Sequence, residues 1–376
     1  MIPIVYFDER PKEKREDLYD REEELSSLIN YIRNCKPLIL ILGLRRTGKT
    51  SLVKVAINEI KRPSIYIDCR VFEEKIAISI EDFIRHLGNS ISSSLRRWKG
   101  LIEYMKSIRS ASIFGFRIEF SWKGESRTSI SEVFDAINSY GEDKGLCIPI
   151  IFDEVQELSK LKGINLLPIF AYAYDNLRNI SVILTGSKIG LLYRFLKIND
   201  SSSPLYGRVK FEINLKNLSR RESIDYLIKG FNQLNIKAPI DVIEYAVDRL
   251  NGIIGWLTYF GVKAIIHGVK RETVDLTLIE GSKLAISELE NFLKIRPIAR
   301  KRYLIILRRI ADNPASWSEI KRYLESIEGR VISKSNLTLL LRNLVNAGFI
   351  SKNNENKYYI VDPILRYAFY SGLIKL

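Results

Sequence analysis

At residues 43–50 the chain reads Gly43-Leu44-Arg45-Arg46-Thr47-Gly48-Lys49-Thr50, which fits the pattern G-x-x-x-x-G-K-[ST]. The apolar run Leu38-Ile39-Leu40-Ile41-Leu42 precedes it and predicts a buried strand, and Ser51-Leu52-Val53 follows it and begins a helical pattern. Such an octet can arise by chance, but this one lies where the pattern has to lie, between a strand and a helix. The sequence therefore predicts a strand, a glycine-containing loop and a helix, in that order.

This loop has the chemistry of a phosphate-binding site. A strand that leads through such a loop into a helix points successive backbone N–H groups, and the N-terminus of the helix, at one spot. Lys49 would reach the β- and γ-phosphates, and the Thr50 hydroxyl would bind Mg²⁺. We therefore predict a site for ATP or ADP with Mg²⁺. The predicted nucleotide-binding residues here are Gly43, Leu44, Arg45, Arg46, Thr47, Gly48, Lys49, Thr50 and Ser51.

A second buried strand ends in two acidic residues. The run Ile148-Pro149-Ile150-Ile151-Phe152 is apolar, with Pro only near its start, and Asp153-Glu154 follow directly. In a nucleotide site, Asp153 would hold Mg²⁺ through water, and Glu154 would orient and deprotonate the attacking water. The alternative is that both carboxylates only cap the next helix. The phosphate-binding loop upstream favours the catalytic interpretation.

A third strand, Ser181-Val182-Ile183-Leu184, ends in Thr185-Gly186-Ser187. A hydroxyl between the other two strand ends could contact the γ-phosphate or the attacking water. Ser187 is the better candidate, because Gly186 lets the backbone approach the ligand closely, and Thr185 is the second choice. An ordinary polar helix cap is the alternative.

Strands alternate with helices from residue 38 to residue 215, which indicates a parallel α/β sheet. In the last strand, 209–215, apolar and polar residues alternate, so we expect an edge strand with one solvated face. Residues 114–122 also alternate and predict a hairpin strand with an aromatic face, packed on the core or on a partner. After residue 219 the pattern is helical, with Gly230 and Asn251-Gly252 as predicted helix ends.

Residues 296–376 are strongly basic, with 15 Lys and Arg against 6 Asp and Glu in a chain of net charge +15. Their pattern predicts three helices, the second opened by Ser316 or Ser318 and the third capped by Ser333, and then a hairpin over 349–360. This is the order of a winged helix-turn-helix. We predict three domains: a P-loop α/β domain at 1–216, a helical lid and connector at 217–295, and a winged helix-turn-helix at 296–376.

The winged helix would place basic and polar side chains on its third helix and its wing, where base edges and phosphates of duplex DNA are read. The predicted nucleic-acid contacts are Lys334, Ser335, Thr338, Arg342, Lys352 and Lys357. Winged helices also serve as dimerisation or regulatory modules, and a basic surface can be merely solvated.

The composition narrows the remaining possibilities. The chain of 376 residues has no run of eighteen apolar residues and no signal peptide, so we expect a cytoplasmic protein without a membrane partner. Its three cysteines, Cys35, Cys69 and Cys147, and its two histidines, His86 and His267, lack metal-ligand spacing. We therefore expect neither a zinc site nor a disulfide.

Several segments together resemble the archaeal ATPase family, which belongs to the signal-transduction ATPases with numerous domains, relatives of the AAA+ class. They are the arginine-containing phosphate loop, Phe152-Asp153-Glu154, Leu184-Thr185-Gly186-Ser187, Leu205-Tyr206-Gly207-Arg208 and, at the end, 359–366. Asp20-Arg21-Glu22-Glu23-Glu24-Leu25 is similar to the N-terminal adenine-side motif of the family, with Asp20 where Gly is usual. The resemblance thus implies that Arg21 contributes to the nucleotide site.

The resemblance also implies a sheet of order 5-1-4-3-2, with the nucleotide held between this sheet and a helical lid. Arg208 matches the place where such proteins keep an arginine directed at a γ-phosphate, often that of a neighbouring subunit, which implies a homo-oligomer; a surface salt bridge is the alternative. The lid segment 251–257 aligns with a Gly-Gly-x-Pro-like motif, but Asn251 replaces the first Gly and Ile254 the Pro.

Two functions fit this sequence. The first is an ATP-binding, slowly hydrolysing switch, a regulator or defence-type sensor, whose winged helix binds DNA. The second is a replication-initiator-like AAA+ ATPase that acts on duplex DNA. Initiators typically place an arginine on the lid, and this lid offers Ile254 and Trp256, which favours the switch. A small-molecule kinase is disfavoured, because nothing after the phosphate loop resembles an acceptor site.

Overall fold

The computed structural model describes residues 6–106, 111–114, 117–120 and 130–374. Its strands are β1 (Leu38–Gly43), β2 (Ile65–Asp68), β3 (Ala111–Phe114), β4 (Arg117–Phe120), β5 (Ile148–Asp153), β6 (Ile180–Gly186), β7 (Phe211–Leu215), β8 (Ile350–Lys352) and β9 (Tyr358–Ile360). Five of them form a parallel sheet of order β2-β5-β6-β1-β7. When only these five are numbered, the order from β7 is 5-1-4-3-2, so the predicted fold is confirmed.

Helices cover both faces of this sheet. On one face lie α1 (Glu22–Arg33) and α2 (Lys49–Ile60), and on the other lie α3 (Ile80–Arg97), α4 (Leu101–Met105), α5 (Ile130–Lys144), α6 (Leu167–Asn176) and α7 (Ile189–Leu196). The alternate residues of β1 enter different cores: Leu40 packs on the second face and Ile41 on the first. This double burial explains why β1 reads as an unbroken apolar run.

The edge strand and the hairpin follow the sequence patterns with small shifts. β7 begins at Phe211, not at residue 209, and has Ile213 and Leu215 buried and Glu212 and Asn214 exposed, so it is the predicted half-solvated edge. The predicted hairpin is confirmed as the antiparallel pair β3 and β4. It is two strands, not one, and residues 115, 116, 121 and 122 of the predicted segment lie outside the described residues.

The lid consists of α8 (Arg220–Asn232), α9 (Ile240–Leu250), α10 (Ile254–His267) and α11 (Arg271–Lys294). Asn251 ends α9 in the left-handed conformation, with φ 49°, as the sequence predicts. The prediction that Gly230 ends a helix is wrong, since α8 continues through it. The phenyl ring of Phe7 packs so closely on Gly230 that a Cβ there would lie 2.3 Å from it, and this contact explains the glycine.

The C-terminal segment is a winged helix of α12 (Arg300–Asp312), α13 (Trp317–Glu328), α14 (Lys334–Asn346) and the β8–β9 hairpin, followed by α15 (Pro363–Tyr370). Ser316 caps α13 in a capping box with Glu319, and Ser333 caps α14, as predicted. The sequence pattern did not reveal α15. Asp362 caps this helix by accepting the N–H groups of Ile364 and Leu365.

The lid and the winged helix share one hydrophobic cluster. It includes Trp256 and Leu278 from the lid, Leu307 from α12, and Ile364 and Phe369 from α15. The sheet domain has its own two clusters, one on each face. The boundary between a lid at 217–295 and a winged helix at 296–376 therefore stays a prediction of domain organisation, and it does not separate two hydrophobic cores.

The cysteine prediction needs one correction. Cys35, just after α1, and Cys147, just before β5, form a disulfide with a Cα–Cα distance of 5.4 Å, and Cys69 is a buried free thiol. The partners lie 112 residues apart, so nothing in the local sequence shows their proximity.

In the part of the chain that the structure describes, no helix combines the length and apolar character needed to cross a membrane.

Candidate nucleotide-binding site

The loop between β1 and α2 has the backbone conformation of a phosphate cradle. Gly48, the N-cap of α2, has φ 95°, a left-handed conformation that glycine adopts without strain, and Arg46 has φ 65°. The Thr47 hydroxyl donates to the Leu44 carbonyl oxygen at 2.9 Å and closes the loop. The N-terminus of α2 therefore faces the space beside the loop, where an anion is favoured.

Lys49 is held beneath this loop. Its side chain is only 5% exposed, and its Nζ donates to the carbonyl oxygens of Gly43 (2.9 Å) and Leu44 (2.7 Å). The Nζ also lies 3.8 Å from Oε1 of Glu154, at the end of β5. The lysine at the start of α2 and the candidate catalytic carboxylate after β5 are thus brought together.

Asp153 is surrounded by hydroxyl groups. Its Oδ2 accepts from Thr50 Oγ1 (2.8 Å) and from Tyr66 OH (2.5 Å), and its Oδ1 accepts from Thr185 Oγ1. A hydroxyl and a carboxylate side by side at the end of a phosphate loop are oxygen donors of the kind that Mg²⁺ prefers. Thr50 and Asp153 therefore fit a Mg²⁺ site, and Thr185 and Tyr66 position the carboxylate.

Glu154 is fixed by its neighbours and is ionised. Its Oε2 accepts from the Ser187 N–H (3.1 Å), the Ser187 hydroxyl (2.6 Å) and Gln156 Nε2 (2.5 Å). Burial alone would raise the pKa of this carboxyl, but the charge of Lys49 and these hydrogen bonds outweigh it and lower the pKa to about 2. A carboxylate with so low a pKa is a weak proton acceptor, so the geometry favours orientation of water over deprotonation.

Ser187 and Thr185, the two candidate hydroxyl residues of the third strand, contact different carboxylates. The hydroxyl of Ser187 binds Glu154, whereas the hydroxyl of Thr185 accepts from the Glu154 N–H (2.9 Å) and donates to Asp153. Both side chains lie at the carboxyl end of β6, and both residues are buried. Neither acts as a helix cap, since α7 has Lys188 at its N-cap and no side-chain cap bond.

Lys49, Thr50 and Glu154 line a cavity of about 540 Å³ between the sheet domain, the lid and the N-terminal segment, whereas Asp153, Thr185 and Ser187 are not among its described lining residues. Its wall includes the phosphate loop and, on the side away from the strands, Leu18, Tyr19, Tyr226 and Thr258. A cavity of this volume with one polar and one apolar end suits a nucleotide.

Arg21 contributes to the wall of the cavity but is tied to the backbone. Its residue is 5% exposed, and its Nη2 donates to the Lys216 carbonyl oxygen at 2.6 Å. Within the described residues its buried Nε has no hydrogen-bond partner, so one donor remains for a ligand.

The two loop arginines point toward the lid. Arg45 binds Glu73 (2.5 Å) and Glu288 of α11 (2.9 Å), and Arg46 Nη2 binds the second oxygen of Glu288 (2.6 Å). One lid carboxylate therefore holds both arginines of the phosphate loop.

Arg46 also reaches the winged helix. Its guanidinium stacks on the Trp256 ring and lies 3.8 Å from Oδ2 of Asp362, the cap of α15. Trp256 Nε1 donates to the same Asp362 carboxylate, at 3.1 and 3.2 Å. The N–H of Gly255 donates to the Arg46 carbonyl oxygen (3.0 Å), and a Cβ on Gly255 would lie 2.6 Å from Arg46 Cβ. The phosphate loop, lid and winged helix therefore meet at Arg46.

Arg208 lies elsewhere. It forms a bidentate pair with Asp175 (3.1 and 2.5 Å), donates to the Pro204 carbonyl oxygen, and is not among the described residues that line the cavity. Within one chain this is the surface salt bridge that the sequence analysis kept as the alternative.

The candidate DNA contacts lie on the winged helix. Of α14, Lys334, Ser335, Thr338 and Arg342 are exposed. On the wing, Lys352 is exposed over the Tyr358 ring. Near the C-terminal end of α14, Asn346 is half-buried instead, because it packs against Gly190 of α7.

Sequence reasoning missed Tyr66, Gln156, Glu288 and the site role of Asp362. Asp362 precedes a proline, which is a helix-start signal that could have shown α15. Glu288 is one of many acidic residues on a long helix, so no local pattern marks it.

The fold and the site define a P-loop nucleoside triphosphatase with an attached winged helix, and comparison with known proteins agrees. A family model for an ATPase domain predominantly from Archaea matches residues 18–260, and a model for the C-terminal winged helix-turn-helix domain of MCM proteins matches residues 297–361. The chain therefore belongs to the archaeal ATPase family, as the sequence analysis expected.

Two solved structures share this architecture. The Walker-type ATPase PABY2304 of Pyrococcus abyssi is 37% identical, with a TM-score of 0.81 over 97% of this chain and 99% of that one. The ORC2 protein of Aeropyrum pernix, solved with ADPNP and ADP, is 13% identical, with a TM-score of 0.58 over 98% of each chain, and shows the shared fold. Among curated proteins, none matches the chain.

Proposed function

We propose that this archaeal ATPase is a switch that binds ATP with Mg²⁺, hydrolyses it slowly, and thereby controls how its winged helix binds duplex DNA. The observation that carries the proposal is the position of Arg46. It belongs to the loop that would hold the phosphates, and it contacts Asp362 at the start of α15.

A bound triphosphate would compete for the loop arginines. Within the described chain Arg46 Nη1 is buried without a hydrogen-bond partner, so a phosphate oxygen would satisfy a donor that Asp362, at 3.8 Å, does not. Attraction to the phosphates would weaken the hold of Arg45 and Arg46 on Glu288 and Asp362. The winged helix would then be less firmly held against the sheet domain.

Each site residue has a role in this proposal. Thr50 and Asp153 would hold Mg²⁺, which when bound would neutralise charge on the β- and γ-phosphates. Lys49 would exchange its loop carbonyl contacts for phosphate oxygens. Glu154, positioned by Ser187, would orient the attacking water.

The DNA interface would be the exposed face of α14 together with the wing. Lys334 lies at the N-terminus of this helix, and Thr338 and Arg342 follow on the same side, in the arrangement used to read a major groove. Asn346, half-buried against α7, would be fully exposed only when the winged helix moves away from the sheet domain. ATP binding would therefore enlarge the DNA interface.

A replication-initiator-like ATPase acting on duplex DNA is the second candidate. The fold shared with the Aeropyrum ORC2 protein favours it. The lid argues against it. Initiators typically have an arginine on the lid that contacts the γ-phosphate, and this lid segment has Ile254 and a buried Trp256 instead.

The proposal is tested by measuring the binding of a labelled duplex to the full chain over a salt series. Each series is run without nucleotide, with ADP and with a non-hydrolysable ATP analogue. The log of affinity should fall linearly with log salt, by about 0.9 per neutralised phosphate. Replacing Lys352 and Lys357 together should reduce this slope by about 2, and Arg342→Ala should also change sequence preference.

The ATP analogue should tighten DNA binding by roughly 5-fold or more, and DNA should tighten ATP binding by the same factor. Lys237→Ala, in the loop between α8 and α9 of the lid, is the control for loss of a positive charge. Affinity that is flat with salt would reject DNA as the partner, and salt-dependent affinity that ignores nucleotide would reject the switch.

A further inference from the structure

Arg70 lies at the nucleotide cavity together with Arg10, Arg21, Arg45 and Arg46, and it comes from the turn after β2 and not from the phosphate loop. β2 pairs with β5 in parallel, and Asp68 lies opposite Asp153 in the register. Arg70, two residues beyond Asp68, therefore lies at the same edge of the sheet as the candidate Mg²⁺ ligands. Its Nη2 is 4.0 Å from Oδ2 of Asp153, and its side chain lines the cavity together with Lys49 and Thr50.

Asp68 fixes the direction of this guanidinium. Oδ1 of Asp68 accepts from Arg70 Nε (2.8 Å) and Oδ2 accepts from Nη2 (2.5 Å), which is the bidentate geometry that sets both position and plane. The same Oδ1 also accepts the Arg70 backbone N–H at 3.0 Å, at the start of a short 3₁₀ turn over Cys69–Phe72. Arginine has five N–H donors, and Asp68 takes two of those on the side chain.

The positive charge of Arg70 acts on Lys49 in the site. Burial lowers the pKa of Lys49, the charges of Glu154 and Asp153 oppose this effect, and the positive charges of Arg45 and Arg70 add to it. The Arg70 side chain is 44% exposed, so a ligand in the cavity can reach it.

The other arginines are less well placed for chemistry on a γ-phosphate. Arg45 and Arg46 are bound to Glu288 of the lid, and Arg208 is bound to Asp175 outside the cavity. Arg10 is bound to Asp8, and Arg21 to the carbonyl oxygen of Lys216. Arg70 differs from them because its carboxylate partner belongs to the sheet edge itself and holds it next to Asp153.

We propose that Arg70 is a catalytic residue that binds an oxygen of the γ-phosphoryl group in the transition state, within its own chain, and that Asp68 is its positioning residue. The inference rests on the proposed ATP hydrolysis. In that reaction the water oxygen forms a bond to the γ-phosphorus, and the bridging oxygen leaves on ADP with the electron pair of the broken bond. A water proton passes to a phosphate oxygen. Arg70 stabilises the negative charge on the transferring group.

Turnover and binding of three variants test this role: Arg70→Ala, Arg70→Lys and Asp68→Asn. Arg70→Ala should lower kcat by roughly 10³-fold while the Kd for ATP changes by only about threefold, because the arginine acts on charge that develops in the transition state. Arg70→Lys should recover part of the loss, and Asp68→Asn should give a smaller loss. Arg300→Ala is the matched control, because Arg300 forms a bidentate pair with Glu290, with its side chain 43% exposed, and does not line the cavity.

Two further measurements separate catalysis from structure. Millimolar guanidinium should restore turnover of Arg70→Ala but not of Glu154→Gln, since only the first variant lacks a guanidinium. Arg70→Ala should also lose the tighter binding of ADP with aluminium fluoride, a mimic of the transferring group, and keep the binding of ADP.

Mixing experiments test the assignment to one chain. Arg70→Ala protein mixed with Lys49→Ala protein should remain inactive, because the intact Arg70 of the second protein sits in a site that cannot bind ATP. Recovery of activity in the mixture would overturn action within one chain. Turnover of Arg70→Ala equal to that of Arg300→Ala would overturn the catalytic role. A wild-type protein with no turnover and no preference for the fluoride complex would instead reject the ATPase proposal together with this inference.

Discussion

The guanidinium of Arg46 lies 4.0 Å from the centroid of the Trp256 ring. This stacking joins the phosphate loop to the first turn of α10, and Trp256 passes the contact on by donating to Asp362 of the winged helix. A cation–π contact of this kind contributes about 0.5–2 kcal/mol, which is enough to bias a movable domain without locking it.

Removing the negative charge of Asp362 should weaken its attraction for Arg46 and so loosen the winged helix. We expect Asp362→Asn to raise duplex affinity of the nucleotide-free protein toward that of the ATP-bound wild type, and to reduce the effect of nucleotide to about twofold or less, against the 5-fold or more that coupling normally gives. Fluorescence anisotropy with a labelled duplex measures this. Asp312→Asn, at the end of α12, is the control, and equal behaviour of the two variants would contradict the contact's role.

Lys49 and Glu154 should separate binding from chemistry. Lys49→Ala should abolish ATP binding, because it removes a contact that the ground state needs, whereas Glu154→Gln should bind ATP normally and lose roughly 10²-fold or more in turnover. Calorimetric titration and phosphate release give the two numbers. Lys54→Ala, on the exposed face of the same helix with Glu13 as partner, is the control. Wild-type turnover by Glu154→Gln would remove Glu154 from the mechanism.

The low pKa of Glu154 predicts a pH profile. Because the folded-state pKa is about 2, below the ordinary 4.5, the carboxylate is already ionised throughout the neutral and mildly acidic range, and turnover should not fall between pH 8 and pH 5 through its protonation. Ser187→Ala removes one hydrogen bond to the charged form and should move the acidic limb up by about one pH unit. Ser181→Ala, at the other end of β6, should leave the profile unchanged. If turnover depended on pH in the same way in both variants, the hydrogen bond from Ser187 would not control the pKa of Glu154.

Arg208 can contribute only if copies of the chain associate. We expect Arg208→Ala to show a loss of turnover that grows with protein concentration, up to roughly 10³-fold where an arginine acts on a neighbour's phosphate. Turnover per chain of the wild type should rise over the same range. A loss of equal size at every concentration would mean that Arg208 acts within one chain. No loss at any concentration would mean that Arg208 only forms the surface ion pair with Asp175.

The disulfide should stabilise the sheet domain. Replacing Cys35 and Cys147 by Ser should cost about 2–4 kcal/mol, because the bridge closes a long loop in the unfolded chain. Thermal unfolding with and without reductant measures this loss of stability. Reductant should cause the same loss in the wild type, and it should have no further effect on the variant. Thiol titration of the denatured, unreduced protein should find one free thiol, that of Cys69, and three thiols would contradict the bridge.

The sequence predicted the parts of the fold that local patterns control. Apolar runs that are buried on both faces, the glycine loop before α2, and the serine caps of α13 and α14 each carry their own signal within a few residues. The roles of Asp153 and Glu154 remain predictions, but their meeting with Lys49 and Thr50 follows from the rule that parallel strands end at one edge.

What the sequence did not predict depends on distant partners. Gly230 lies inside a helix because Phe7 occupies the space of its missing Cβ, and Cys35 finds Cys147 across 112 residues. The contact between Arg46 and Asp362 joins residues at opposite ends of the chain. Propensity and spacing describe neighbours along the chain, and such contacts exist only after the sheet, lid and winged helix have packed.

The hydrophobic cluster that runs from Trp256 to Ile364 has a mechanical consequence. The lid and the winged helix cannot separate without exposing that cluster to water, so they should turn together as one lever about the segment that follows β7. Because Asn346 near the end of α14 packs on Gly190 of α7, any such turn also breaks the seam between α14 and the sheet domain. A rearrangement of Arg46 beside the phosphates would therefore act on the whole C-terminal half of the molecule and not on one side chain.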